Sequence, residues 1–205
     1  SSLDDDSGQE IAVRRIIRHP NYHRPTANMD AALLRLAEPV SIPPIELASI
    51  ESLDEIARAS TVAIGWGKTE SQHRSNELRH VNVPIVDHLA CQAAYATHGF
   101  VLTSAMLCAG VAEGGKDACV GDSGGPLVVP KPPKVGQAPS DWLLVGLVSW
   151  GKGCAQANAY GVYTNVGLLA NWVNSLAIPI PGAEFAAAQS IPLDINATLF
   201  LPVIQ

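Results

Sequence analysis

Basic charge is scarce in this chain. Lys and Arg number 13 against 19 Asp and Glu, for a formal net charge of −6. No basic stripe runs along any segment, so the electrostatic footprint of a nucleic-acid binder is missing. No apolar run reaches the roughly 18 residues that a bilayer-spanning helix needs. Charged residues are only 16% of the chain, too few for a long solvated helix or a disordered acidic segment. Cys-x-x-Cys spacing is absent, which removes the usual zinc and redox motifs. The chain also opens at Ser1 without a charged-then-apolar leader, so a processed product or a fragment is expected. No cofactor and no metal is expected.

What is abundant is turn chemistry and apolar residues: 17 Gly and 15 Pro beside 47% hydrophobic positions. Short β-type runs separated by turn residues predict strands over 11–18, 31–36, 62–66, 78–86, 106–110, 126–129, 142–150 and 161–166. Strands at this spacing, joined without crossover helices, argue antiparallel barrels. A short helix is predicted within 87–97, with Asp87 as N-cap. A second covers 168–176, where Leu169, Trp172, Val173 and Leu176 share one face. After Leu176 periodicity ends, and 178–205 reads as a poorly ordered tail. It carries the one sequon, Asn196-Ala197-Thr198, a glycosylation candidate if the protein is secreted. Residues 130–141, with Lys-Pro-Pro-Lys, read as an exposed hairpin loop.

The most informative run is Asp117-Ala118-Cys119-Val120-Gly121-Asp122-Ser123-Gly124-Gly125-Pro126-Leu127. Glycines flanking a serine let the backbone turn tightly and approach a substrate with no Cβ in the way. The amides of Gly121 and Ser123 can then converge on one point, where the oxyanion of an acyl-transfer intermediate would form. Ser123 is the candidate nucleophile. An α/β-hydrolase shares the Gly-x-Ser-x-Gly elbow, but that fold needs its histidine after the serine. The last histidine here is His98, so that class is excluded. The four cysteines, Cys91, Cys108, Cys119 and Cys154, are read as disulfides of an oxidising compartment, with buried free thiols as the alternative.

From about residue 10 to 176 the chain resembles the trypsin-like (chymotrypsin-fold) serine endopeptidases. The resemblance implies an all-β fold, a double antiparallel β-barrel with a C-terminal helix. Residues 61–166 account for the whole second barrel, whereas 11–47 supply about half of the first. The expected division is therefore a peptidase domain over 1–177, lacking its N-terminal part, followed by the tail. Pairing of Cys91 with Cys108 and of Cys119 with Cys154 is implied. A further family bridge is missing at both ends, where Thr61 and Val129 stand.

Asn28-Met29-Asp30-Ala31-Ala32-Leu33-Leu34 is similar to the segment that carries the triad aspartate, which makes Asp30 the second catalytic candidate. Ser149 matches the serine that contacts this carboxylate. Asp117, six residues before Ser123, matches the base of the primary specificity pocket and implies cleavage after Lys or Arg. Ala118 departs from the serine often found beside it. Gly151 and Gly161 match the glycines that keep the pocket open. Ser149-Trp150-Gly151 matches the strand edge that pairs with the substrate backbone. Asp122 matches the carboxylate that pairs with a new N-terminus, for which no partner is evident in the sequence.

The base is what the sequence does not supply. No Ala-Ala-His-Cys segment occurs in residues 1–29, and His19 and His23 fall in a turn expected at the surface. A subtilisin order through His73, His80, His88 or His98 would need parallel βαβ units, which the loops do not provide. The expectation is a secreted, monomeric endopeptidase acting on protein or peptide substrates, with protein inhibitors as further partners. This chain would be an inactive portion of it. The alternative is a non-catalytic homologue that binds or inhibits another protein.

Overall fold

The computed structural model describes residues 2–4, 8–50, 56, 60–71, 73–131 and 142–176, and the backbone of 198–201. Ten strands and two helices are named below. They are β1 (Val13–Arg18), β2 (Ala32–Leu36), β3 (Glu46–Leu47), β4 (Ser60–Gly65), β5 (Arg79–Val86), α1 (His88–Ala96), β6 (Met106–Ala109), β7 (Pro126–Pro130), β8 (Trp142–Trp150), β9 (Gly161–Asn165), α2 (Ala170–Leu176) and β10 (Thr198–Leu201). Each strand predicted from the sequence is present within two residues of its expected ends.

Strands β8-β7-β4-β5-β6-β9 are neighbours in that order, and β8 pairs again with β9, so the six close into an antiparallel barrel. Closure removes every edge within the ring. The alternation along β7 and β8 fits this arrangement. Leu127, Val129, Leu143 and Val145 pack in one core with Val83 and Tyr163. Val128 and Leu144 face the other way, onto a second core with Ala31, Leu33, Leu169 and Val173. Period-two burial on both faces explains why β8 reads as a nearly unbroken apolar run. Gly146 interrupts it because a Cβ there would lie 3.1 Å from the Cβ of Tyr163.

β1 and β2 pair antiparallel, and β10 adds to the other side of β2. This open three-stranded sheet stands where only about half of a first barrel was expected. Two pairings were not foreseen. β3 joins β8 in parallel through two residues, too few for any periodic signal. β10 lies inside the stretch read as a tail. Asn196 and the loop residues 132–141 fall outside the described residues.

The remaining elements follow local rules. Asp87 caps α1 by accepting from the amides of Leu89 and Ala90, both at 3.0 Å. The disulfides Cys91–Cys108 and Cys119–Cys154 are formed. The former ties α1 to β6. Thr61, at one end of the missing family bridge, is fully buried and donates its hydroxyl to the Val83 carbonyl at 2.5 Å. A satisfied hydroxyl can occupy a core site without the penalty of an unpaired one.

Candidate active site

The turn between β6 and β7 places Ser123. Gly121 has φ +103° and Gly124 φ +84°, a region that L side chains rarely enter. The loop is tied on several sides: Lys68 N–H donates to Val120 O at 3.0 Å, Gly124 N–H to Val148 O at 2.9 Å, and Gly125 N–H to Asp122 O at 2.7 Å. Gly125 has no room for a side chain, since a Cβ would lie 2.7 Å from two carbonyl oxygens. Ser123 is exposed. Among the described residues, the amides of Gly121 and Ser123 take no part in these backbone hydrogen bonds. Two undirected donors beside an exposed hydroxyl are what an oxyanion site requires.

Asp122 corrects the sequence reading, which found it no partner. Its carboxylate accepts from the amide of Gly67 at 2.7 Å and from that of Cys119 at 2.8 Å. Two charge-assisted bonds from backbone donors satisfy a half-buried carboxylate. Gly67 must be glycine for this, because a Cβ there would sit 2.5 Å from the carboxylate. No sequence motif announces an amide clamp formed 55 residues away.

Asp30 comes from the open sheet, just before β2, and is 5% exposed. The Ser149 hydroxyl, on barrel strand β8, donates to its Oδ2 at 2.6 Å. The Thr164 hydroxyl on β9 donates to the Asp30 carbonyl at 2.8 Å. The barrel therefore grips this one residue through both side chain and backbone. Met29, with φ +50°, turns the chain immediately before it.

Asp117 is half-buried between the elbow and β9. Its Oδ2 accepts from the Ala155 amide at 3.0 Å, and its Oδ1 is buried without a partner among the described residues. Burial pushes its pKa up to about 6, against the amides of Ala155 and Ala118, and the charge of Asp122 adds a smaller push. The Tyr163 hydroxyl is also buried and unpartnered. Burial, then the charges of Asp117 and Asp122, raise that phenol well above its ordinary range. Both orphan oxygens adjoin Gly161, where a Cβ would lie 2.7 Å from Asp117 Oδ1 and 3.1 Å from Tyr163 Oη. Glycine at 161 keeps that space open. Ala118 is half-buried and packs on the barrel core.

Trp150 ends β8, with Gly151 exposed beyond it. The indole rests edge-on against Tyr95 with centroids 5.0 Å apart, and Phe100 lies 5.4 Å away. Tyr95 was missed from the sequence. Its hydroxyl donates to the Tyr160 carbonyl and accepts from the Lys152 amide at 3.3 Å, so it ties together the two ends of the loop that carries Gly151. The available signal was its place one helical turn after Cys91, on the buried face of α1.

The histidines are distributed differently from expectation. His23 is exposed and bonds the Thr26 hydroxyl at 2.9 Å. His19, expected at the surface, is 7% exposed and meets Trp172 of α2 edge-on at 4.6 Å. Its Nδ1 accepts from the Asn21 amide at 3.2 Å. The turn that carries it folds under the helix, which is why its Pro/Asn/Tyr-rich composition was misleading. His98 contacts Lys152, while His73 and His80 are exposed on the barrel's outer loop and β5. Among the described residues no three His, Cys, Asp or Glu gather as a metal site would need, and no helix is long and apolar enough to cross a membrane.

Comparison with known proteins gives a consistent result. The trypsin family model matches residues 1–173. Trypsin 5G1 of Aedes aegypti is 42% identical over 181 residues, covering 86% of this chain and 63% of its own length. Trypsin of Simulium vittatum is 44% identical over 169 residues, with 80% and 63% covered. Mannan-binding lectin serine protease 1 of Homo sapiens is 38% identical over 170 residues, with 82% and 24% covered. The chain thus spans less than two thirds of the length of the two trypsins.

Proposed function

Since the chain belongs to the trypsin family, we propose that it carries the nucleophile, oxyanion and specificity parts of a secreted serine endopeptidase that cleaves after Lys or Arg. Ser123 Oγ attacks the scissile carbonyl, and the amides of Gly121 and Ser123 receive the developing oxyanion. Asp30 orients and stabilises a histidine that takes the serine proton and later gives it to the leaving amine. Collapse of the tetrahedral species leaves an acyl-Ser123 ester, which water then hydrolyses. In this reading these 205 residues do not supply that histidine. The Ser149-Trp150-Gly151 edge pairs with the substrate backbone. The protein acts as a monomer on protein or peptide substrates, and protein inhibitors would engage the same edge.

The observation that carries this reading is the Asp117 carboxylate, which is half-buried and leaves one oxygen unbonded beside an open glycine. A buried carboxylate oxygen without a partner is costly, and a guanidinium or ammonium group offers charge and several donors at once. The test is binding of a small alkylguanidinium to the 205-residue chain. Saturable binding that weakens sharply in Asp117→Asn is expected, with no preference for an aromatic ligand of equal size. Equal binding by the variant would refute the pocket. Without a base, hydrolysis of an arginine amide should exceed the spontaneous reaction by only about 10³–10⁴-fold. Hydrolysis at ordinary protease rates that persists in Ser123→Ala would refute the nucleophile.

A further inference from the structure

One flank of the serine elbow carries charge that the proposed reaction leaves unused. The hairpin between β4 and β5 folds against Gly121: a Cβ on that glycine would lie 3.0 Å from Arg74 Nε, 3.6 Å from Arg74 Cδ and 3.1 Å from Gly67 Cα. The arginine stem thus crosses the glycine whose amide the proposed reaction gives to the oxyanion. Lys68 stands directly opposite Arg74 in an antiparallel bridge, and its amide donates to Val120 O at 3.0 Å. The flanking bonds, Thr69 N–H to His73 O at 3.0 Å and Ser75 N–H to Gly67 O at 3.2 Å, hold the bridge in place. Both cations are exposed. Like charges set directly across a ladder repel, and among the described residues no carboxylate pairs with either. The ion pairs there join Arg79 to Glu77 and Lys131 to Glu46, while the nearby Asp122 is held by two amides.

Where this pair meets a substrate follows from the barrel order. Strands β8 and β9 bring the Ser149-Trp150-Gly151 edge and the Gly161 side of the Asp117 pocket, whereas β7 and β6 separate β4 and β5 from them. A substrate whose Lys or Arg enters that pocket, with its preceding residues along the edge, has its scissile carbonyl at Gly121. The residues after the bond then leave over the opposite flank, where the hairpin stands. An extended chain advances roughly 3.3 Å per residue, so a guanidinium packed on Gly121 faces the first two of them. We infer that Arg74, with Lys68 beside it, selects substrates that carry Asp or Glu in the two positions after the scissile bond. The inference rests on the proposed roles of Asp117 and Gly121 and adds to them a charge preference on the leaving-group side. The same pair disfavours Lys or Arg at those positions by repulsion.

The test is equilibrium binding to the full 205-residue chain, which without a base turns over too slowly to consume a peptide. Three peptides with blocked ends, acetyl-Ala-Ala-Arg-X-X-Ala-amide with X as Glu, Gln or Lys, differ only after the Arg. A small alkylguanidinium reports the pocket alone. At low salt the Glu peptide should bind about fivefold to tenfold more tightly than the Gln peptide, the range that exposed ion pairs allow, and the Lys peptide should bind least. In Lys68→Gln/Arg74→Gln the three affinities should converge, while alkylguanidinium keeps its native affinity. In Lys68→Glu/Arg74→Glu the Lys peptide should become the tightest. Equal affinities for the three peptides in the native chain, with alkylguanidinium bound, would overturn the inference and leave the pocket standing. A Glu preference that survives in both variants would also overturn it, placing the selecting charge elsewhere. Failure of alkylguanidinium to bind the native chain would refute the pocket, and this inference with it.

Discussion

The closed barrel and the open sheet solve the same problem in different ways. The barrel pairs each of its six strands on both sides and carries both disulfides. The sheet has no closure, no crosslink and three strands, one of them drawn from the far end of the chain. Yet the candidate site needs both. Ser123, Asp117 and the Trp150 edge belong to the barrel, and only Asp30 comes from the sheet. The two regions share the apolar core around Leu33, Val128 and Leu144, and two barrel hydroxyls bond the Asp30 carboxylate and its carbonyl. The barrel thus carries most of the candidate side chains and holds the one that the sheet contributes. The difference between the regions is one of topology rather than of composition.

The sharpest way to break that contrast is to remove the barrel's long crosslink. Cys119–Cys154 closes a separation of 35 residues, for which the chain-entropy model assigns about 4 kcal/mol. The Cys119→Ser/Cys154→Ser variant should lose that much in urea-monitored unfolding. A loss below about 1 kcal/mol would mean that strand closure alone secures the loop.

Asp117→Asn acts within the barrel in two directions. Guanidinium binding should weaken by about 3 kcal/mol, on the order of 10²-fold, because the donors of the ligand lose their charged acceptor. Stability should move the other way. The folded pKa is about 6, above the ordinary aspartate value of 3.8, so the folded state binds the proton more tightly than the unfolded chain does. That contribution is full below the unfolded value and is lost as pH rises through about 6. Above pH 6 the variant should therefore be more stable by about 1–2 kcal/mol once solvent screening is allowed for. Paired urea titrations at pH 4 and pH 8 check both the sign and the window.

Ser149→Ala tests the link between the two regions. Removing a donor from a buried carboxylate should cost about 2 kcal/mol. Hydrogen exchange should show the loss in β1 and β2, while the barrel strands β5 and β6 keep their protection. Equal loss in both regions would show that the sheet and barrel unfold as one unit.

How far the sequence discloses this molecule follows the same division. Every barrel strand longer than three residues was visible, because burial on one or both faces writes a two-residue period or an apolar run into the chain. The elbow around Ser123 was visible because tight turns and close approach demand glycine at fixed offsets. Asp30 and its contact with Ser149 were legible only through resemblance, since nothing in Met29-Asp30-Ala31 encodes a partner 119 residues away. The amide clamp on Asp122 and the role of Tyr95 were hidden for the same reason: backbone donors and phenol contacts leave no spacing signature. β10 was hidden because four β-prone residues in a proline-rich stretch specify no partner on their own.

The smallest expected effect lies in the sheet, at His19, and it runs opposite to that of Asp117. The imidazole is 7% exposed, lies against Trp172, and uses Nδ1 to accept from the Asn21 amide. Burial lowers its pKa from 6.5. Protonation would put a cation under an indole edge and break the bond to Asn21. α2 itself, Ala170–Leu176, brings no titratable group to offset that charge. Below 6.5 the unfolded chain takes up the proton before the folded one does, so stability is complete above that value and is lost as pH falls through the folded pKa. The sheet should thus weaken as pH falls below 6.5, whereas the barrel weakens as pH rises toward 6. In His19→Phe the acid-side decline should flatten, and Trp172 fluorescence should become independent of pH between about 7.5 and 5.5, one unit to either side of the ordinary imidazole value. An acid-side decline of the same size in the variant would locate the titrating group elsewhere and leave the two regions with a common pH response.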